Sequence, residues 1–163
     1  NKHFELFKRR HEYYTKSINT EPDQLELSAF IKRIPAHNTR ISISNQVYGD
    51  PVLMIRSAPI ELAFTDLLGN ALTHSNGGKI DLIISERERF VEFKISNSVN
   101  NVLSKENYEM LGKEDIKKPD GTYSTGMSHA FQSINQENNI SLCPFEKYKS
   151  SKKFEVTIKL SKK

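Results

Sequence analysis

The sequence predicts a two-layer α/β sandwich, in which a mixed, mainly antiparallel sheet carries three helices on one face. Three segments have the apolar period of helices, whereas residues 80–95 and 154–160 alternate apolar and polar side chains as strands do. The chain has 163 residues, of which 36% are hydrophobic. This is enough apolar material for one domain with a sizeable core.

Composition excludes several classes of protein. Cys143 is the only cysteine, so no internal disulfide can form and the cytoplasm is the expected location. No apolar run approaches the roughly 20 residues of a spanning helix, so we expect no membrane contact by this segment. Because the sequence begins with Asn1 rather than Met, we expect a piece of a longer protein, compatible with the cytosolic part of a membrane-bound one.

Charge gives little support to nucleic-acid binding. The net charge is only +4, and the two basic clusters, at residues 8–10 and 147–153, lie at a flank and in a predicted loop. We therefore expect both clusters to be solvated and predict no nucleic-acid partner. Residues 1–20 are polar and irregular, which predicts a linker or the tail of an upstream helical region, and the domain is expected over residues 21–163.

The first helix is predicted to open at Thr20, a capping residue followed by Pro22 and Asp23 in the first turn, and to end at Pro35. Its apolar stripe has helical spacing and consists of Leu27, Phe30, Ile31 and Ile34. Short apolar patterns then predict two strands, at residues 41–44 and 52–55.

The strongest helical pattern covers residues 58–75, with Ser57 as the predicted cap. Its apolar residues are Ile60, Ala63, Phe64, Leu67, Leu68, Ala71 and Leu72. Residues 76–78, Asn-Gly-Gly, are expected to end it because they tolerate the left-handed conformation.

The second half of the chain predicts a hairpin, a polar segment, a third helix and two strands. The hairpin joins residues 80–84 and 90–95 and is followed by a polar stretch at 98–125. The helix starts near Gly126, and its apolar residues are Met127, Ala130, Phe131 and Ile134. The closing strands are predicted at residues 140–142 and 154–160.

Four polar residues of the second helix are spaced three and four apart and so share a face: Asp66, Asn70, Thr73 and His74. A carboxylate and a carboxamide held there could bind a hydrated Mg²⁺, which prefers oxygen ligands. An ordinary polar face of an amphipathic helix explains the same spacing, and spacing alone favours that alternative.

The order of motifs resembles the ATP-binding domain of sensor histidine kinases, a Bergerat fold shared with the gyrase, Hsp90 and MutL ATPases. Residues 25–162 carry the resemblance. The family's N box is similar to residues 66–75 and is matched at Leu67, Leu68, Asn70, Ala71 and His74. The hairpin ending at Asn97, the polar lid at about 100–124 and the glycine-led helix follow in the family's order.

The resemblance implies ATP and Mg²⁺ as cofactors and assigns roles to residues. Asn70 would hold the metal ion, and Asp66 would be the catalytic carboxylate that orders water. Asn97 would accept the adenine amino proton. The remaining implied cofactor-binding residues are Thr73, His74, Ser124, Thr125, Gly126 and Met127. Ser124, Thr125 and Gly126 would bind the phosphates, and Met127 is the hydrophobic residue that follows the glycine.

The sequence also departs from the family. Asn97 replaces an aspartate, which turns a charge-assisted hydrogen bond into a neutral one. Val99 and Asn101 stand where the family has glycines, and a β-branched residue resists positive φ. These departures predict a weakened affinity for nucleotide.

The resemblance predicts the catalytic domain of a two-component histidine kinase, monomeric when isolated, that transfers the ATP γ-phosphate to a histidine on a partner domain and signals to a response regulator. The alternative is a pseudokinase or phosphorelay scaffold that no longer binds nucleotide. A serine kinase or another ATPase of the same fold is a further alternative, because Asp66 could activate water. His11 superficially looks like a phosphoacceptor but lies too close to Asn70 for a helical hairpin to fit between, so we interpret it as chance.

Overall fold

The computed structural model describes residues 21–113, 116–117, 123–124, 126–135 and 139–163. The predicted linker at 1–20, with Thr20 and His11, lies outside the described residues. In chain order the elements are β1 (Asp23–Glu26), α1 (Leu27–Arg33), β2 (Ile41–Asn45), β3 (Val52–Ile55), α2 (Ser57–His74), β4 (Ile80–Glu86), β5 (Phe90–Ser98), α3 (Lys105–Met110), β6 (Ile116–Lys117), β7 (Tyr123–Ser124), α4 (Gly126–Asn135), β8 (Asn139–Leu142), α5 (Phe145–Ser151) and β9 (Lys153–Ser161).

The main sheet has five strands in the order β2-β4-β5-β9-β8. Only the β2–β4 pair is parallel, and the other three pairs are antiparallel. The predicted hairpin is β4–β5, closed by a hydrogen bond from the Arg87 amide to the Phe90 carbonyl at 2.8 Å. β1 and β3 form a separate antiparallel pair. The mixed, mainly antiparallel sheet predicted from the sequence is confirmed.

Three phenylalanines join the helical layer to the sheet. Phe30 of α1, Phe64 of α2 and Phe93 of β5 meet edge to face, with ring centroids 5.2 to 5.6 Å apart. All three side chains are fully buried. Edge-to-face pairs add about 0.5–1.5 kcal/mol each to the burial of the rings. Buried side chains of α1, α2 and α4 share one core with the sheet, so the two-layer architecture is confirmed.

The predicted start of the first helix is wrong. Asp23–Glu26 is the strand β1, paired with β3, and α1 begins at Leu27. Ser28, in the first turn of α1, donates hydrogen bonds to a side chain outside the helix. The carboxylate of Asp50 accepts one from the Ser28 amide at 2.8 Å and one from the Ser28 hydroxyl at 2.6 Å. The predicted end is confirmed, since Ile34 is an extended cap immediately before Pro35.

The ends of α2 also differ from the prediction. Ser57 is the first helical residue rather than the cap, and its hydroxyl donates to the Asp23 carboxylate at 2.6 Å, which ties α2 to β1. At the other end, Ser75 is an extended cap. Gly77 has φ +92° and so takes the left-handed conformation in the following turn, beyond the helix end itself.

Two segments predicted as loops contain short helices, α3 and α5. In α3, the Ser104 hydroxyl accepts a hydrogen bond from the Asn107 amide at 3.2 Å, an N-cap that the polar composition concealed. Each helix buries one tyrosine, Tyr108 in α3 and Tyr148 in α5. The lysines of the second basic cluster that follow Tyr148 are exposed, as expected. No helix in the described part of the chain is long and apolar enough to cross a membrane.

Candidate functional site

The polar residues of α2 separate into an inner pair and an outer pair. Asp66 is 7% exposed and Asn70, one turn later, is half-buried. Thr73 and His74 are exposed in the last turn, and the Thr73 hydroxyl donates to the Gly69 carbonyl of its own helix at 2.9 Å. An ordinary solvated polar face would expose Asp66 as well. The structure therefore buries Asp66 and half-buries Asn70, whereas it exposes Thr73 and His74, all on the helix that packs against α4.

Asn97 is the most unusual polar residue of the sheet. It is only 3% exposed and lies in the central strand β5, opposite Ile80 on one side and Phe154 on the other. It follows Phe93 and Ile95 on the side of the sheet that faces the helices.

The carboxamide of Asn97 is poorly satisfied within the protein. Its Oδ1 is buried without a hydrogen-bond partner, and its Nδ2 donates to the Ser98 carbonyl at only 3.5 Å. A buried, unpaired polar atom costs about 1–3 kcal/mol, and most such atoms in folded proteins are paired. A ligand N–H that reached Oδ1 would remove this cost.

The end of α2 is tied to the end of β5. The Asn76 amide, just after the helix, donates to the Ser98 carbonyl at 2.9 Å. This hydrogen bond brings the turn that follows α2 to the residue next to Asn97. The structure thus places the ends of two elements that carry predicted site residues side by side.

Arg40 holds the same end of α2, and sequence analysis missed it. Its guanidinium donates to the carbonyls of Leu72 and Gly78, each at 3.3 Å, and to the Ser75 hydroxyl. A cation at the carboxyl end of a helix satisfies free carbonyls and interacts favourably with the helix dipole. The residue precedes an edge strand and is 30 or more positions away from its partners, so no local pattern signalled it.

The backbone of Val99 and Asn101, where the resemblance predicts departures from the family pattern, does not have positive φ. Among the described residues, Lys152, at φ 53°, is the only non-glycine residue with positive φ. The Val99 amide donates to the Lys152 carbonyl at 2.9 Å, which extends the β5–β9 pairing by one residue. Val99 is half-buried, so it does not occupy the core.

The glycine-led helix forms where it was predicted. α4 begins at Gly126, and Met127 is 7% exposed as part of the hydrophobic core. Packing in the core therefore accounts for Met127. Ser124 belongs to the short strand β7, while Thr125 lies outside the described residues.

A magnesium ion at this site would need ligands beyond the protein. Within the described residues, no group of three or more His, Cys, Asp or Glu side chains could hold a metal. Mg²⁺ commonly keeps several waters and is bound through one or two protein oxygens together with the phosphates of a ligand. The half-buried carboxamide of Asn70 with nearby Asp66 fits that mode of binding.

Comparison with known proteins bears on the fold. No family model matches the sequence, and no curated protein matches it significantly. Among solved structures, the mycobacterial sensor histidine kinase MprB has a TM-score of 0.65 at 11% identity, with 86% of this chain and 99% of that chain covered. The catalytic domain of histidine kinase ThkA has a TM-score of 0.63 at 16% identity, covering 88% and 97%. The ATP binding domain of PrrB from Mycobacterium tuberculosis has a TM-score of 0.63 at 14% identity, covering 88% and 99%. The chain therefore has the fold of the catalytic domains of sensor histidine kinases.

Proposed function

We propose that this chain binds Mg-ATP and acts as the catalytic domain of a two-component histidine kinase. The observation that supports this most directly is the buried, unpaired Oδ1 of Asn97, within a fold shared with the ATP binding domain of PrrB. A fixed acceptor with no protein donor is suited to an N–H group of a ligand, and the exocyclic amine of adenine is such a donor.

Adenine binding would fall to Asn97. Because the acceptor is already desolvated and held in the central strand of the sheet, a ligand amine regains a hydrogen bond that folding left unmade. The acceptor is neutral, so this hydrogen bond is weaker than one to a carboxylate. We therefore expect affinity to depend strongly on contacts with the phosphates.

Phosphate and metal binding would fall to the inner residues of α2 and the start of α4. The Asn70 carboxamide oxygen would hold Mg²⁺, which neutralises charge on the phosphates, and Asp66 would order a water of the metal shell. The backbone amides of the first turn of α4, which begins at Gly126, would donate hydrogen bonds to phosphate oxygens. The hydroxyls of Ser124 and Thr125 would do the same. Thr73 and His74 would line the outer rim. Phosphoryl transfer needs mostly positioning and electrostatic stabilisation, which these residues would supply.

The partners follow from the proposed activity. The γ-phosphate would pass to a histidine on a phosphoacceptor domain and from there to a response regulator, in the cytoplasm. Residues 21–163 would form the ATPase domain, residues 1–20 would link it to an upstream helical region, and the isolated domain would be a monomer.

A titration with a fluorescent ATP analogue, with and without Mg²⁺, tests the binding. Asn97→Ala should weaken binding about tenfold whether or not Mg²⁺ is present, because one hydrogen bond is lost. Asn70→Ala should remove mainly the part of the affinity that depends on Mg²⁺. Asn107→Ala, at an exposed asparagine of α3, should leave binding unchanged. Absence of binding at millimolar nucleotide would overturn the proposal.

Val99 and Asn101 favour one alternative function. They place side chains where the resembling kinases have glycine. A domain that can no longer bind nucleotide would serve as a pseudokinase or phosphorelay scaffold. Such a domain would remain folded but would bind no nucleotide in the same titration. Acid-labile phosphate on a partner histidine would instead establish the kinase.

A further inference from the structure

The chain turns sharply after α3, and the turn requires a glycine. Leu111 has φ −57° and ψ 131°, Gly112 has φ +79°, and the Lys113 amide donates to the Met110 carbonyl at 3.0 Å. These are the features of a type II turn, whose third residue needs positive φ. Gly112 supplies that conformation without steric strain.

The same glycine also lies close to an aromatic ring, that of Phe131. A Cβ added to Gly112 would lie 2.6 Å from Cγ and Cδ1 of Phe131 and 2.8 Å from its Cδ2. Real Cβ atoms do not approach a ring so closely, so backbone or ring would have to move. Gly49 and Gly77 have similar φ angles, +85° and +92°, but open space around the missing side chain. The Gly112–Phe131 contact is therefore separate from the need for positive φ.

Both sides of this contact are anchored. On one side, α3 is held by Tyr108, which stacks on Tyr148 of α5. On the other, α4 carries Phe131 and buries Ala130 and Ile134 in the core, where it packs against α2. The contact is thus the place where the anchored α3 segment meets the helix that begins at Gly126.

We propose that Gly112 and Phe131 are positioning residues for phosphate binding: their contact fixes α4 so that its first amides point correctly at the phosphates of a nucleoside triphosphate. This inference rests on the proposed function. It assigns a role to two residues that would touch neither metal nor nucleotide, and it separates the phosphate end of the site, which depends on α4, from the adenine end at Asn97.

That separation defines the experiment. Gly112→Ala and the control Gly49→Ala impose similar φ strain, but only the first meets a ring. Each variant is titrated with a Mg-bound fluorescent ATP analogue and, in competition, with adenosine. Gly112→Ala should lower the affinity for the triphosphate about tenfold or more. It should leave the affinity for adenosine within about twofold of the wild-type value. Gly49→Ala should change neither affinity.

A second measurement follows the helix without any nucleotide. Backbone amides of α4 should exchange with solvent faster in Gly112→Ala than in Gly49→Ala, because the clash displaces the helix. Adding Phe131→Leu to Gly112→Ala should restore part of the protection and of the triphosphate affinity, since the smaller side chain makes room.

Two results would overturn the inference. One is an equal loss of triphosphate and adenosine binding in Gly112→Ala, and the other is α4 exchange that matches the control. A wild type that binds neither ligand would be a different failure, because it overturns the proposed function itself and, with it, the role assigned to the contact.

Discussion

Tyr108 and Tyr148 stack face to face, with ring centroids 4.4 Å apart and ring planes inclined by 14°. The Tyr108 hydroxyl donates to the Cys143 carbonyl, and the Tyr148 hydroxyl accepts from the Leu103 amide at 2.8 Å. Burial, with the bond to Cys143 and the neighbouring groups, raises the pKa of Tyr108 above its usual range, so this hydroxyl stays protonated as a donor. The pair holds two short helices that are too short to be stable alone.

We predict graded losses of stability at Tyr108. Tyr108→Phe should cost about 1 kcal/mol, because it removes one hydrogen bond, whereas Tyr108→Ala should cost about 3–5 kcal/mol, because it also leaves a cavity. Urea unfolding measures both. Tyr48→Phe, at a tyrosine that is 98% exposed, is the matched control and should have no effect. If Tyr108→Phe and Tyr108→Ala unfold at the same midpoint, the stacked ring contributes nothing.

Asn97→Leu should separate stability from binding. The free protein should gain about 1 kcal/mol, because a buried oxygen without a partner is replaced by an apolar group of similar volume. Nucleotide affinity should fall about tenfold, because leucine cannot accept the hydrogen bond from adenine. Thermal unfolding and the ATP-analogue titration check the two parts. A loss of more than about 1 kcal/mol on this substitution would show that the carboxamide is well satisfied without ligand.

Asp50 should make stability depend on pH in the acid range. Hydrogen bonds from the Ser28 hydroxyl and amide hold the pKa of its carboxyl below the ordinary value of 3.8. The stability from this group is therefore present above that value and is lost as pH falls through the lower, folded-state pKa. Asp50→Asn should lower the unfolding midpoint at pH 7, and the difference from wild type should shrink below about pH 4.

The control for Asp50 is Asp81→Asn, at an exposed aspartate of β4. Thermal unfolding of wild type and both variants between pH 2 and pH 7 makes the comparison. If the difference in unfolding midpoint between wild type and Asp50→Asn stays constant over this range, the hydrogen bonds from Ser28 to Asp50 do not depend on the charge of the carboxylate.

Glu61 should have the opposite dependence. Burial raises the pKa of its carboxyl above 4.5, although the Arg33 guanidinium, 3.7 Å away, opposes the shift. The stability from this group is fully present below pH 4.5 and is lost as pH rises through the raised pKa. Glu61→Gln should therefore raise the unfolding midpoint at pH 7 and have little effect near pH 4.

Glu88→Gln, at an exposed position of the β4–β5 turn, is the matched control for Glu61 and should not change the midpoint at either pH. A lower midpoint for Glu61→Gln at pH 7 would mean that the ion pair with Arg33 outweighs the cost of burial. Differential scanning calorimetry at the two pH values distinguishes these outcomes.

Local periodicity was sufficient for the elements that carry the core. Burial on one face repeats with the period of an element, so the pattern is visible within that element alone. This holds for the apolar stripes of α2 and α4 and for the alternation in β4, β5 and β9. The order of these elements also carried the resemblance that predicts Asn70 and Asn97 as site residues.

The other elements and the burial of the polar site residues depend on contacts between residues far apart in the chain. β1 forms by pairing with β3, and α3 and α5 hold each other through Tyr108 and Tyr148, so none of these three elements has a strong local signal. The unpaired Oδ1 of Asn97 could not be predicted, since only folding shows which donors approach a side chain. Periodicity within single elements was enough to predict the main helices and strands of the core. Long-range packing determined which polar groups are buried without partners and that Gly112 lies against Phe131.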